Sequence, residues 1–162
     1  MDGYGTLLLT GPMVADHALA DALGHVLGVP AEDVHIGEDW TDESAGARVV
    51  CLRWACPPRD VVWAMEVFPL QGVAATPSER ELCSALAEGL GQAVVFPAES
   101  FPPSAYWLAA PGGLVTRARL HDVDGIGPDG DETGYDIDAV GAAVPGMARL
   151  RVVPGLTADG PA

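Results

Sequence analysis

Arg48-Val49-Val50-Cys51-Leu52-Arg53-Trp54-Ala55-Cys56, then Pro57-Pro58-Arg59-Asp60, then Val61-Val62-Trp63-Ala64-Met65-Glu66-Val67-Phe68 is the most legible stretch of this chain. Two runs rich in β-branched and aromatic residues flank a pair of prolines, the pattern of a β-hairpin with a four-residue loop. With Cys56 opposite Val61, Trp54 faces Trp63, Leu52 faces Met65 and Val50 faces Val67, which makes one face continuously apolar. The other face then carries Cys51, Arg53, Ala55, Val62, Ala64 and Glu66, with Arg53 and Glu66 placed to pair diagonally. A slip of one residue would turn one strand over, so the pattern argues for this register.

The flanking sequence supplies helices and further strands. Tyr4 to Thr10 reads as a buried strand. After Gly11-Pro12, the positions Leu19, Leu23, Val26 and Leu27 form one helical face, and Gly28 supplies a stop. Ala31 to Ile36 reads as a short extended piece. Beyond the hairpin, Thr76-Pro77-Ser78-Glu79 reads as a helix start, with Thr76 as cap, Pro77 in the first helical position and Glu79 closing a capping box. Leu82, Ala85, Leu86 and Leu90 form the buried stripe of that helix, which stops near Gly91. Strand-like runs follow at Ala93 to Phe96, Ala105 to Ala109, Leu114 to His121, Tyr135 to Val140 and Ala148 to Val153. Setting Leu120 opposite Tyr135 and Ala118 opposite Ile137 brings Arg119 against Asp136 and Arg117 against Asp138. The expected fold is α+β: a ferredoxin-like βαββαβ antiparallel sheet with two helices on one face and a C-terminal β meander. Residues 1–153 are expected to form a single domain, and 154–162 a flexible tail.

Composition narrows the partners. Eight arginines and no lysine stand against 23 acidic residues in a chain of 162, a formal charge of −15. Such a charge repels nucleic acid and anionic lipid, which are bound through Lys and Arg. A basic protein is the partner it favours, the alternative reading being that the charge serves only to keep the protein soluble. The absence of Asn and the abundance of Ala, Gly, Val, Asp and Pro resemble proteins of high-GC actinobacteria. Apolar runs such as Leu7 to Leu9 and Val61 to Met65 fall far short of the roughly 20 residues that span a bilayer. Met1 to Gly5 has no basic region of the kind that opens a secretory signal, so a cytoplasmic location is expected.

No catalytic constellation emerges. The chain has no G-x-S-x-G elbow, P-loop or H-E-x-x-H, Gly3, Gly5 and Gly11 near the first strand do not form the G-x-G-x-x-G of a dinucleotide site, and no catalytic residue, metal or cofactor is assigned. Cys51 and Cys56 fall on opposite faces of one strand, and with Cys83 they read as small core residues rather than metal ligands or a disulfide framework. His17, Asp21 and His25 share a helical face from which a metal could draw ligands, but that face lies opposite Leu19 and Val26 and reads as solvated. The carboxylates Asp122, Asp124, Asp129, Asp131 and Glu132, interspersed with glycine, lack the ligand order of an EF-hand and read as a flexible acidic hairpin tip. Glu38, Asp39, Trp40, Asp42 and Glu43 place an indole among carboxylates. That combination suits a protein-binding anchor, since Trp supplies contact area and the charges select a basic partner. A solvated loop whose Trp folds back on the core is the alternative reading.

Tyr106-Trp107-Leu108, Pro111-Gly112-Gly113, the Leu114 to His121 run and Tyr135-Asp136-Ile137 together resemble the small acidic immunity proteins of bacterial polymorphic toxin systems. The resemblance covers about 35 residues. It implies a cytoplasmic, non-catalytic protein that binds and neutralises a cognate toxin domain, here through the two acidic segments. Two other readings stand beside it: a small enzyme or ligand binder using a pocket between sheet and helices, with Arg53, Glu66 or His121 as its polar groups, and a secretion chaperone or adaptor.

Overall fold

A computed structural model describes residues 3–98 and 105–156. It is a mixed α+β structure with two helices and one eight-stranded sheet. The strands are β1 (Leu7–Leu9), β2 (Val34–Gly37), β3 (Val49–Ala55), β4 (Trp63–Pro69), β5 (Val94–Pro97), β6 (Ala105–Ala109), β7 (Val115–Ile126) and β8 (Glu132–Val140), in the spatial order β2-β3-β4-β1-β5-β6-β7-β8. Helices α1 (Asp16–Leu27) and α2 (Glu79–Leu90) pack on the same face. The sheet is larger than a βαββαβ unit and, against expectation, not wholly antiparallel: β2 joins one edge parallel to β3, while the β6 to β8 strands extend the other edge as a C-terminal meander of the kind expected.

The helix-side core is built from Leu19, Leu23 and Leu27 of α1 and Leu82, Cys83 and Leu86 of α2, packed on Leu7, Leu9, Val49, Cys51, Trp63, Met65, Val67, Val94 and Phe96. Helix α1 ends where Gly28 turns left-handed (φ 71°) and returns its N–H to Gly24. Gly24 itself is required by packing, since a Cβ there would stand 2.6 Å from the Val29 carbonyl oxygen. Helix α2 begins two residues later than its sequence predicts. Ser78 is the cap and Glu81 closes the capping box, while the Pro77 carbonyl accepts the Tyr4 hydroxyl at 2.7 Å and Glu79, expected to close the box, instead accepts the Gly5 N–H at 2.8 Å.

The β3–β4 hairpin forms, one residue out of the expected register. Ala55 opposes Trp63, Arg53 opposes Met65 and Cys51 opposes Val67. The loop therefore runs from 57 to 61, and Cys56 donates its N–H to the Val62 carbonyl at 2.9 Å. Trp63, Met65 and Val67 face the helices beside Val49 and Cys51, while Leu52 and Trp54 turn to the opposite face, where Trp54 is exposed. Arg53 and Glu66 consequently lie on opposite faces. The Arg53 guanidinium instead donates to the Val14 carbonyl at 2.6 Å and pairs with Asp16 at the start of α1.

A second core lies on the far face, formed by Leu8, Val61, Ala64, Val95, Leu108, Ala118, Leu120, Ile137 and Val140 with Val144 and Leu150 of the C-terminal segment. Five inter-strand steps separate β4 from β8, about 24 Å in a flat sheet. Yet the loop before β4 is hydrogen-bonded to β8. Val61 donates to the Tyr135 carbonyl at 3.2 Å, Ile137 N–H donates to the Asp60 carboxylate at 2.8 Å, and Arg59 grips Asp136 through two bonds of 2.9 and 2.6 Å. The sheet must therefore curl into a partial barrel around the second core. Residues 148–153, expected as a strand, contribute an isolated bridge between Val152 and Val140, and Leu156 is buried. Of the expected tail 154–162, Leu156 is thus packed on the fold, and 157–162 lie outside the described residues.

Candidate functional site

The Glu38 to Glu43 segment leaves the end of β2 and is shaped by its own short-range bonds. Thr41 N–H donates to the Ser44 hydroxyl at 2.9 Å, Ser44 N–H returns to the Thr41 carbonyl at 3.0 Å, and Ser44 is fully buried. Its hydroxyl anchors the turn. Trp40 leans on Phe68 of β4, with ring centroids 5.2 Å apart, and remains 44% exposed. The indole is thus held on one side by the sheet, as the alternative reading expects, and open to solvent on the other. Glu38, Asp39, Asp42 and Glu43 are exposed. None of the ion pairs or side-chain hydrogen bonds among the described residues involves their carboxylates.

The second acidic segment is more ordered than a loop. Strand β7 continues to Ile126 and β8 starts at Glu132, so Asp122 and Asp124 are strand residues, and the turn is confined to residues 127–131, with Asp129 and Asp131 in it. Asp124 accepts the Thr133 hydroxyl at 2.9 Å. The Glu132 carboxylate lies where a Cβ on Gly127 would be, and Gly127 has the positive φ (88°) that favours glycine. The register also departs from expectation. Leu120 opposes Ile137 and His121 opposes Asp136, with irregularities at Arg119/Leu120 and Val123/Ile126 that advance the pairing. Arg119 meets Asp138, and Asp136 belongs to Arg59. The first acidic segment follows β2 at one edge of the sheet and the second spans the β7–β8 hairpin at the other, and no hydrogen bond or ion pair joins them among the described residues.

The other candidates resolve into structural roles. Cys51 and Cys83 lie in the helix-side core and Cys56 in the far one. Burial pushes the Cys51 thiol up to about 12 and raises Cys83 and Cys56 as well, so none is a ready thiolate. His17, Asp21 and His25 are exposed on α1, and no three His, Cys, Asp or Glu side chains gather in a metal-holding group among the described residues. Arg53, Glu66 and His121 do not converge: the first is tied to α1, the second faces the other side, and His121 stands 4.0 Å from Asp136. A cavity of about 350 Å³ lined by Gly3, Tyr4, Pro69, Leu70, Gly72, Val73 and Thr76 offers no charged side chain. Another of about 280 Å³ includes Thr10, Gln92, Met147 and Arg149, but Gln92 is engaged with Gly11, Pro12 and Trp63, and Arg149 with Asp60.

Gln92 and Asp60 are polar residues that pattern reading passes over. Gln92 interrupts the apolar run that leads into β5, and that interruption is its one signal in the sequence. No helix among the described residues is long and apolar enough to cross a membrane. No family model, curated protein or solved structure matches this chain.

Proposed function

We propose that this chain is a non-catalytic protein-binding module of the bacterial cytoplasm that neutralises a cognate toxin domain by engaging a basic surface of it. The observation that carries this reading is Trp40: an indole braced on Phe68, 44% exposed, and surrounded by carboxylates that no arginine of the described structure neutralises. Bracing lowers the entropy lost on docking, and uncompensated charge selects a cationic partner. The acidic residues at Asp122, Asp124, Asp129, Asp131 and Glu132 extend the same chemistry from the β7–β8 hairpin. In architecture we read β1-α1-β3-β4-α2-β5, with its strand order β3-β4-β1-β5, as a ferredoxin-like unit to which β2 and the meander are added.

The test is capture from lysate of the producing organism with the purified chain as bait, followed by titration of the retained protein. One basic partner is expected, bound more weakly as salt rises, with Trp40→Ala weakening it at least about tenfold as for an anchor residue. The partner's toxicity should be suppressed by the wild-type chain and restored with Trp40→Ala. Retention of no protein at low salt, or a partner indifferent to Trp40 and to neutralisation of both acidic segments, would sink the proposal. A partner captured through an export-targeting segment, with no toxic domain silenced, would identify a secretion adaptor instead.

A further inference from the structure

Eight arginines are the entire set of Lys and Arg cations, against 23 acidic residues. Arg48, Arg53, Arg59, Arg119, Arg149 and Arg151 each meet a carboxylate. Arg80 and Arg117 meet none among the described residues, and both converge on Trp107. The guanidinium carbon of Arg117 lies 3.9 Å from the ring centroid and that of Arg80 5.1 Å. Trp107 and Arg117 are cross-strand partners on β6 and β7, and Arg80 comes from the first turn of α2. The pair is thus assembled from three elements across the helix-side edge of the meander.

The carboxylates beside Arg80 in the chain are already in use. Glu79 accepts the Gly5 N–H, and Glu81 closes the cap on Ser78. Arg119, two residues along the same face of β7, is held by Asp138. The Trp107 ring attracts the two cations but accepts few of their ten N–H donors. Their planar forks match the oxygens of a phosphate group. The overall charge of −15 is screened beyond about 8 Å at physiological salt, so the contacting groups decide the local preference.

We infer that Arg80, Trp107 and Arg117 form a binding site for a phosphate oxyanion, free or as the monoester of a small molecule. The site is independent of the acidic segments. The full chain is titrated with inorganic phosphate, and separately with glycerol 3-phosphate, at constant ionic strength with chloride as the balancing anion. Binding is followed through the NMR signals of the Trp107 indole N–H and the Arg117 Nε–H.

Saturable shifts at those two groups are expected. Arg80→Gln and Arg117→Gln should each weaken binding about tenfold, as for loss of a charge-assisted bond. Tighter binding of the ester supports a metabolite site, and equal binding supports free phosphate. Trp40→Ala should leave the titration unchanged, so failure here is separable from failure of the partner reading. Shifts that do not saturate, that chloride reproduces, that fall on other groups of the wild-type chain, or that persist when both arginines are replaced would overturn the assignment. Mapping on the wild-type protein decides the matter even if the double variant does not fold.

Discussion

Gln92→Leu is expected to lower the stability of the chain by about 3 kcal/mol, on the ordinary cost of leaving buried polar groups unpaired. The Gln92 carbonyl oxygen accepts both the Trp63 indole N–H at 3.1 Å and the Gly11 N–H at 2.9 Å, and its amide nitrogen donates to the Pro12 carbonyl at 2.9 Å. Trp63 is fully buried, so its indole N–H has no water to turn to. Gly11 is half-buried and Pro12 exposed, and both recover part of their loss from solvent. One side chain thus ties the end of β1, the approach to α1 and the start of β4 to the segment that leads into β5. Urea denaturation followed by tryptophan emission measures the effect, and an unchanged midpoint would show that these bonds contribute nothing net.

Gln92→Glu makes the chemistry explicit. A neutral carboxylic acid there reproduces all three bonds, whereas a carboxylate loses the donor to Pro12 and buries a charge. Its folded-state pKa therefore rises above the unfolded value of about 4.3. Its contribution is fully present below that value and is lost as pH rises through the folded-state pKa. The variant should approach the wild type near pH 4 and fall behind it at pH 8, and a constant difference across that range would remove the buried-acid explanation.

The positions of helices, hairpins and core residues were legible because each rests on local pattern. The stops at Gly28 and Gly91 and the stripes through Leu19, Leu23, Leu82 and Leu86 stand where the sequence puts them. The registers were not. Strand β4 is buried on both faces, with Trp63, Met65 and Val67 toward the helices and Ala64 toward the far core, so alternation carries no information about which residue opposes which. The single-residue slip that follows sends Arg53 to α1, a contact across 37 residues that no local pattern announces. Asp122-Val123-Asp124 reads as a loop because its composition is unfavourable for strands, but a hairpin edge open to water tolerates it. Trp40 was legible as a surface aromatic, whereas Phe68, its support, is 28 positions away. Arg80 and Arg117 were invisible as a pair for the same reason: α2 and β7 meet at Trp107 only after folding.

Asp60→Ala is expected to cost about 2 kcal/mol, the worth of a charge-assisted bond to a buried backbone group. Asp60 receives the Ile137 N–H at 2.8 Å, on a strand whose neighbour in the sheet lies on its other side, and it also holds the exposed Arg149. The exposed ion pair adds little. Most of the loss should come from the backbone bond that helps curl the sheet around the far core. Amide exchange locates it: protection should fall at Val61 and Ile137 and persist at Leu23 and Leu86, because the helix-side core does not depend on this clasp. Equal loss at all four positions would mean that the two cores unfold as one unit.

Acid should open the same clasp by a second route. The hydrogen bond from Arg59 holds the Asp136 carboxyl below its ordinary value. A depressed carboxyl contributes stability that is present above its unfolded pKa, about 3.9, and lost as pH falls through the folded-state value. Protection at Val61 and Ile137 should therefore decline only below about pH 4 in the wild type. In Arg59→Gln it should already be reduced at pH 7, with less further loss on acidification. If both proteins lose protection in parallel over the same acid range, the Arg59–Asp136 pair is a bystander and Asp60 alone closes the barrel.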